Sequence, residues 1–174
     1  MIYFLDCEFI ENGTTIDLID IGITTLNGKE TYLLNWDCDY SKASDWVKEN
    51  VLVNLPPKPD KPGERWLRKQ DMASIIKDFV AFNSDNNKPE FWGEWCSYDW
   101  VAFCQIFGTM MDDLPSGFPM YCNDIIQFSE THLGIPANQL PPSLETPGHH
   151  NGLLGARTVK MRWAWLVSKQ CGNA

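Results

Sequence analysis

Along the first third of the chain, apolar positions recur at the spacing of strands. Residues 1–5 (MIYFL) form a short apolar run that ends at Asp6, which fits a buried strand. Residues 15–26 (TIDLIDIGITTL) place Ile16, Leu18, Ile19, Ile21 and Ile23 among further β-branched residues, and predict a second strand. Asn27-Gly28 is a hairpin signal, and residues 30–36 (ETYLLNW) supply the returning strand. The chain therefore opens as a three-stranded antiparallel meander.

The period then changes. In SKASDWVKENV, Ala43, Trp46, Val47 and Val51 fall on one helical face, with Ser41 or Ser44 as the cap. The proline-rich stretch 55–63 predicts a loop. Met72, Ile75, Ile76, Phe79 and Val80 then mark a helix, and residues 90–96 (EFWGEWC) a strand. Ser97 is positioned to cap a helix carrying Tyr98, Val101, Ala102 and Ile106. A short strand is expected at 118–122 and a helix at 123–133, capped by Asn123. Residues 135–148 are again a proline-rich loop, and 151–168 form a last helix. Strands followed by alternating helix and strand indicate a mixed α/β sheet flanked by helices. There is neither an internal repeat nor a composition break, so residues 1–174 are expected to form a single domain.

Composition narrows the function classes. Apolar residues make up 44% of the 174, which excludes a disordered chain. No apolar run approaches the ~18 residues of a membrane span, and no basic segment precedes Asp6, so neither a membrane partner nor a signal peptide is expected. The six cysteines form no CxxC pair and the three histidines complete no zinc pattern; buried thiols in a reducing cytoplasm account for them. The net charge of −9 argues against broad basic contact with nucleic acid, although acids that hold metal ions add negative formal charge of their own.

The candidate chemistry lies in the acids. Asp6 and Glu8, in LDCEF, are two apart and share a strand face. Two acids so placed repel each other unless a cation sits between them, or unless they are a solvated strand end. Asp99 follows the strand-like EFWGEWC at the mouth of a helix, where it is either a dipole partner or a third acid brought beside Asp6. His149 and His150 stand at a loop–helix junction, where a histidine can serve as general base. Arg65, Arg68 and Lys69 flank Trp66, a pairing suited to phosphate and base contact or to a solvated helix start. Trp95 is expected in the core, Arg157 in a structural role, and Asp17 and Asp20 on a solvated strand edge.

Taken in order, FLDCEFIENG with IDLIDIG behind it, RWLRKQ, WCSYDWVAFCQIFG and HNGLLGAR resemble the DEDD 3′–5′ exonucleases. These are the DnaQ-like branch of the ribonuclease H-like fold. The histidine subtype is the nearest match, and within it the small single-domain exoribonucleases of bacteria and phages. The resemblance implies an α/β fold with a five-stranded mixed sheet in the order 3-2-1-4-5. It implies two Mg²⁺ or Mn²⁺ ions held by Asp6, Glu8 and Asp99, and His150 as general base. Phe9 and Ile10 occupy the position that packs the terminal nucleotide, and Trp66 and Arg68 are further substrate-binding candidates. The implied substrate is the 3′ end of single-stranded RNA, in preference to DNA, and the implied assembly is a homodimer.

One position departs from the pattern. The family's last motif runs His, four residues, Asp; counted from His150, that position is Gly155. No acid follows Glu145, so the fourth metal carboxylate is missing. A helix glycine costs about 1 kcal/mol relative to alanine. With no packing need legible in the sequence, Gly155 reads as a recent or functional loss: a natural pseudoenzyme, a variant disabled by substitution, or an enzyme that tolerates the loss of one ligand. The expected function is thus a metal-dependent exoribonuclease, impaired or inactivated by Gly155. The alternatives are a non-catalytic nucleic-acid- or protein-binding module on the same fold, and an acidic interaction protein.

Overall fold

The computed structural model describes residues 1–83, 88–147 and 150–172. Among them one mixed sheet runs β4-β3-β2-β1-β5-β6. Its strands are β1 (Ile2–Glu11), β2 (Ile16–Thr25), β3 (Glu30–Asn35), β4 (Trp66–Leu67), β5 (Glu90–Gly93) and β6 (Asn123–Asp124). β1, β2 and β3 form the antiparallel meander; β5 lies parallel to β1, and β6 parallel to β5. Five of these strands reproduce the expected order. The sixth, β4, is a two-residue edge strand parallel to β3, in the stretch expected to begin a helix. The helices are α1 (Asp45–Asn50), α2 (Lys69–Asn83), α3 (Ser97–Phe107), α4 (Ile125–Phe128) and α5 (Gly152–Gly172). None among the described residues is long and apolar enough to cross a membrane.

Strand alternation divides the core. Tyr3, Leu5 and Cys7 of β1 pack with Met72 and Ile76 of α2 and Phe103 of α3 on one face of the sheet. Phe4 packs on the other face with Val159 and Leu166 of α5 and with Ile125 and Ile126. Further along that second face, Ile10 joins Ile19, Val47 and Val51 beneath α1. Each fully buried aliphatic or aromatic side chain contributes about 1.5–3 kcal/mol. A register shift between Glu8 and Phe9 leaves Ile19 of β2 as the extra residue, so that Ile19 and Asp20 both turn toward the α1–α5 side.

Several boundaries differ from expectation. β1 continues past Asp6 to Glu11, because Phe9 and Ile10 still find apolar partners. Ser44 rather than Ser41 caps α1: the Val47 N–H donates to Ser44 Oγ at 3.2 Å. Trp46 is 55% exposed, since the short helix buries Val47 and leaves its neighbour outside. β5 stops at Gly93, and Ser97 is the first residue of α3 rather than its cap. The short strand falls at 123–124, not 118–122. Asp124, not Asn123, caps α4 by accepting from the Ile126 and Gln127 N–H groups. A wider π turn, Ser129–Leu133, completes that segment and ends at Gly134 in the left-handed region. Among the described residues, Cys7, Cys38, Cys96, Cys104 and Cys122 are free thiols, the first four buried and Cys122 half-buried.

Candidate active site

On the second face of the sheet, β1 carries Phe4, then Asp6 and Glu8, then Ile10. The two acids lie in the interval between the apolar cluster under α5 and the one under α1. Asp99 arrives from the first turn of α3. β1 pairs with β5 only from Ile2 to Phe4, which leaves the Cys7 N–H free on that edge; it donates to Asp99 Oδ1 at 2.8 Å. Asp99 is thereby tied to the backbone between Asp6 and Glu8.

A fourth acid, Asp20, stands opposite Glu8 on β2 with no exposed surface. This corrects the solvated edge expected for it. The Gly152 N–H donates to Asp20 Oδ1 at 2.9 Å, and the Tyr32 hydroxyl donates to Oδ2 at 3.2 Å. Asn151 Nδ2 donates to the Tyr32 hydroxyl, and its own Oδ1 caps the Leu153 and Leu154 N–H groups. An acid on the sheet thus satisfies the first turn of α5, where the free N–H groups and the helix dipole favour negative charge. The signal was absent from the sequence because Asp20 and Gly152 meet only through the fold.

α5 approaches the sheet closely enough to exclude side chains. A Cβ on Gly22 would collide with the backbone of Leu153. One on Gly152 would lie 2.6 Å from Asp20 Oδ1 and 2.7 Å from the Asp6 carbonyl oxygen. One on Gly155 would lie 2.9 Å from the Asp6 Cβ and nearer still to its carboxyl group. The packing reason for Gly155 that the sequence did not show is therefore present: Asp6 occupies the space of the absent side chain.

The acids raise one another's affinity for protons. Burial, then the charges of Asp99, Glu8, Asp20 and Glu94, hold Asp6 well above the usual carboxylate range. Burial and the charges of Asp20 and Asp99 push Glu8 up to about 8. Burial raises Asp20 to about 7 despite the N–H of Gly152 and the hydroxyl of Tyr32. Asp99 rises to about 6, again through burial, opposed by the Cys7 N–H. As the side chains stand, no three His, Cys, Asp or Glu groups among the described residues converge at metal-ligand spacing. Asp6 is turned onto Gly155 and Asp99 onto the β1 backbone. The donor set of Asp6, Glu8 and Asp99 is nevertheless all hard carboxylate oxygen, uncompensated and crowded, which is the chemistry that suits a hard divalent cation.

The cleft beside these acids has a cavity volume of 330 Å³. Asp6, Glu8, Glu94, Trp95, His150, Leu154 and Gly155 line it, with Glu145, Thr146 and Arg162. Arg162 lies two turns beyond Gly155 on the same helix face and bridges Glu94 and Glu145. The Thr146 N–H donates to Thr158 Oγ1 at 2.8 Å, so two contacts fasten the proline-rich loop to α5. Arg157 takes the structural role expected for it, in a bidentate pair with Glu30. The non-glycine residues with positive φ are Glu64, Trp95 and His150 at 51°, 53° and 65° among the described residues, and the last two line the cleft. Trp95 is 65% exposed, not core. A tryptophan held in this conformation costs on the order of 1–3 kcal/mol, and such strain gathers at functional sites. The Trp46 indole stands edge-on to the His150 ring, with centroids 4.8 Å apart.

The remaining candidates separate. Phe9 turns to the other face of the sheet, half-buried against the α2–α3 cluster and edge-on to the exposed Tyr98 at 5.9 Å. Ile10 is buried under α1, because the strand continues and its face there is apolar. Trp66 is also buried, against Tyr40, with its Nε1 unpartnered, and only its edge reaches the groove past Lys61 and Arg65. Arg68 is exposed and lies over the ring of Trp36, 5.6 Å from its centroid. His149 lies outside the described residues. Sequence reasoning missed Asp20, Glu94, Glu145, Arg162 and Trp46. Of these, Arg162 carried a signal, its seven-residue spacing from Gly155.

No family model matches the chain. Two relatives do: the 3′-5′ exoribonucleases Rv2179c and MT2234.1 of Mycobacterium tuberculosis, strains H37Rv and CDC 1551. Each is 33% identical over 168 residues, covering 97% of this chain and 94% of the relative. Among solved structures, S. pombe Pop2p in its Mg²⁺- and Mn²⁺-bound form superimposes with a TM-score of 0.69 at 11% identity, over 99% of this chain and 85% of Pop2p. A 3′-exonuclease that recognises the 3′ end of histone mRNA stem-loop gives 0.68 at 13% identity, over 98% of this chain and 64% of its own. The two structures share the ribonuclease H-like fold. With a third of its residues identical over nearly its whole length to two such relatives, and with this fold, the chain belongs to the DEDD family of 3′–5′ exoribonucleases.

Proposed function

We propose that the chain is a metal-dependent exoribonuclease domain that shortens single-stranded RNA from its 3′ end, and that Gly155 lowers its activity. The observation that carries the reading is that Asp6, Glu8 and His150 line one cleft while Asp99 is tied to the β1 backbone between the two acids, which brings together three distant parts of the sequence. Asp6, Glu8 and Asp99 would hold Mg²⁺ or Mn²⁺. Such ions, when bound, polarise an attacking water and stabilise the leaving 3′ oxygen. His150 takes the proton of the attacking water. Trp46 fixes the plane of its ring. Tyr98, exposed in the first turn of α3 next to Asp99, offers an aromatic edge to a terminal nucleotide. The fourth ligand is lacking at Gly155, and Asp6 has settled there instead.

That displacement also favours a second reading, a non-catalytic nucleic-acid-binding module on the same fold. Labelled single-stranded RNA incubated with the protein and Mn²⁺ or Mg²⁺, beside an EDTA control, separates the two. A metal-dependent ladder from the 3′ end supports the enzyme. Retarded but intact RNA supports the binding module, and RNA neither retarded nor cut overturns both.

A further inference from the structure

The cleft is ringed by acids and the chain carries a net charge of −9, yet its expected ligand is a polyanion. Basic residues are concentrated in one place. Positions 58–69 hold five of the fourteen, Lys58, Lys61, Arg65, Arg68 and Lys69, against Asp60 and Glu64, a surplus of three positive charges. They lie on the proline-rich loop, on either side of β4 and at the start of α2. Trp36 organises the cluster: its Nε1 donates to the Pro59 carbonyl at 3.1 Å, and Lys58 Nζ and Arg68 Cζ lie 5.7 and 5.6 Å from its ring centroid. Lys58 also lies over Tyr40 at 4.8 Å and donates to the Cys38 carbonyl. Cation–π contact of this kind orients the charged groups without neutralising them.

Of the nine basic residues outside this stretch, Lys42, Lys48, Arg157 and Arg162 each pair with a carboxylate, and Lys29, Lys77, Lys88, Lys160 and Lys169 are scattered along the chain. Lys61, Arg65 and Arg68 are exposed and make no ion pair among the described residues. Glu64, in a left-handed turn closed by the Gly63–Trp66 bridge, places Arg65 at the tip. A groove of 620 Å³ runs past Lys61, Arg65 and three prolines.

Topology aligns this face with the cleft. β4 is parallel to β3 and β5 to β1, and the antiparallel β2 makes β3 run with β1. The C-terminal ends of β1, β3, β4 and β5 therefore open on one edge of the sheet. Arg68 follows β4, Trp36 follows β3, and Glu94 and Trp95 follow β5. β4 stands three strands from β1, about 14 Å at the usual strand spacing. We propose that the Lys61–Arg65–Arg68 face is an exosite for the phosphate backbone of single-stranded RNA, upstream of the 3′ end seated in the cleft. The proposal rests on the exoribonuclease reading of that cleft. It makes the loop a charge-based anchor that offsets repulsion by the acids, and it ties affinity to strand length.

Fluorescent oligoribonucleotides of 4 and 20 nucleotides, titrated in EDTA at several salt concentrations, test it. Without divalent metal the cleft repels phosphate, so the exosite carries the binding. The native chain should bind the 20-mer more tightly than the 4-mer. Combined Lys61→Glu, Arg65→Glu and Arg68→Glu substitutions should weaken 20-mer binding tenfold or more and reduce the salt slope by about 2, at ~0.7 per lost phosphate contact. The alanine triple, which adds no repulsion, should lie between, and circular dichroism verifies both folds. Unchanged 20-mer binding in both variants overturns the exosite and leaves the cleft reading intact. Displacement of RNA by polyglutamate at equal charge overturns it in favour of an acidic protein partner. Failure of the native chain to bind either RNA, with or without Mn²⁺, overturns the cleft reading as well.

Discussion

Asp6 rests its carboxyl group on the bare backbone of Gly155, in the space that a side chain at that position would fill. Gly155→Ala forces Asp6 to swing away. It should destabilise the metal-free protein by about 1–3 kcal/mol of overpacking, against about 1 kcal/mol gained in helix propensity. Gly155→Asp adds like charge as well and should be less stable still without metal. With Mn²⁺, its melting temperature should recover and 3′–5′ cleavage of single-stranded RNA should rise sharply, since the fourth carboxylate is restored. A Gly155→Asp protein that folds, binds Mn²⁺ and leaves RNA intact would sink the exoribonuclease reading. If Gly155→Ala gains activity equally, the added carboxylate is not the cause.

The buried acids make stability depend on pH in a defined direction. Glu8, Asp20 and Asp99 titrate near 8, 7 and 6 in the fold and near 4 in the unfolded chain. Between those values the folded protein binds more protons than the unfolded one, so stability falls as pH rises. In EDTA the melting temperature should drop progressively from about pH 4 to pH 8, and Mn²⁺ should flatten the upper part of that decline. Asp20→Asn retains an acceptor for the Gly152 N–H and removes one raised carboxyl, so its decline should be shallower. A metal-free melting temperature that climbs across this range would contradict the buried cluster.

His150 and Trp46 share an edge-on contact that predicts unequal effects. In the Gly155→Asp background, His150→Ala should slow the chemical step by about 10²–10⁴. Trp46→Ala leaves the imidazole in place without its brace and should lower kcat less, with Mn²⁺ affinity held. Single-turnover rates and calorimetry on both variants decide. Equal activity of His150→Ala and the parent would remove the general-base assignment.

Arg162 reaches across the cleft to Glu94 and Glu145. Arg162→Met keeps the stem but takes the guanidinium away from Glu94 and Glu145 beside the acids of the cleft. It should cost on the order of 2–4 kcal/mol in urea unfolding and speed limited proteolysis within residues 135–147. If unfolding is unchanged and the loop remains protected, Arg162 is not what holds the loop down.

How much of the site could be read from the chain depends on the distance over which each contact acts. Asp6 and Glu8 were legible because strand alternation places them on one face whatever the rest of the fold. The order of motifs pointed to Asp99 and His150, and the fold brings Asp99 to the β1 backbone and His150 to the cleft. Ile10 was misplaced because the strand outruns the apolar segment that announced it, and its burial is decided by α1, far away in sequence. Trp66 and Trp95 exchanged their expected environments, since an aromatic beside a charge looks the same in sequence whether it faces inward or outward. The close approach of Gly22 to Leu153 carries no local sign at all.

The Asp6–Gly155 contact joins the first strand to the last helix, and this sets when the site comes into being. During synthesis Asp6 and Glu8 emerge early and remain hydrated, ordinary acids on a growing sheet. The desolvation that crowds their charges is delivered by α5, which closes over them when Gly22 and Gly152 bring backbone against backbone. A nascent chain stopped before that helix would leave its acids in water, without the cleft wall that Leu154, Gly155 and Arg162 supply. The crowded cluster of acids is therefore a product of long-range packing: it exists only once α5 has docked on the sheet.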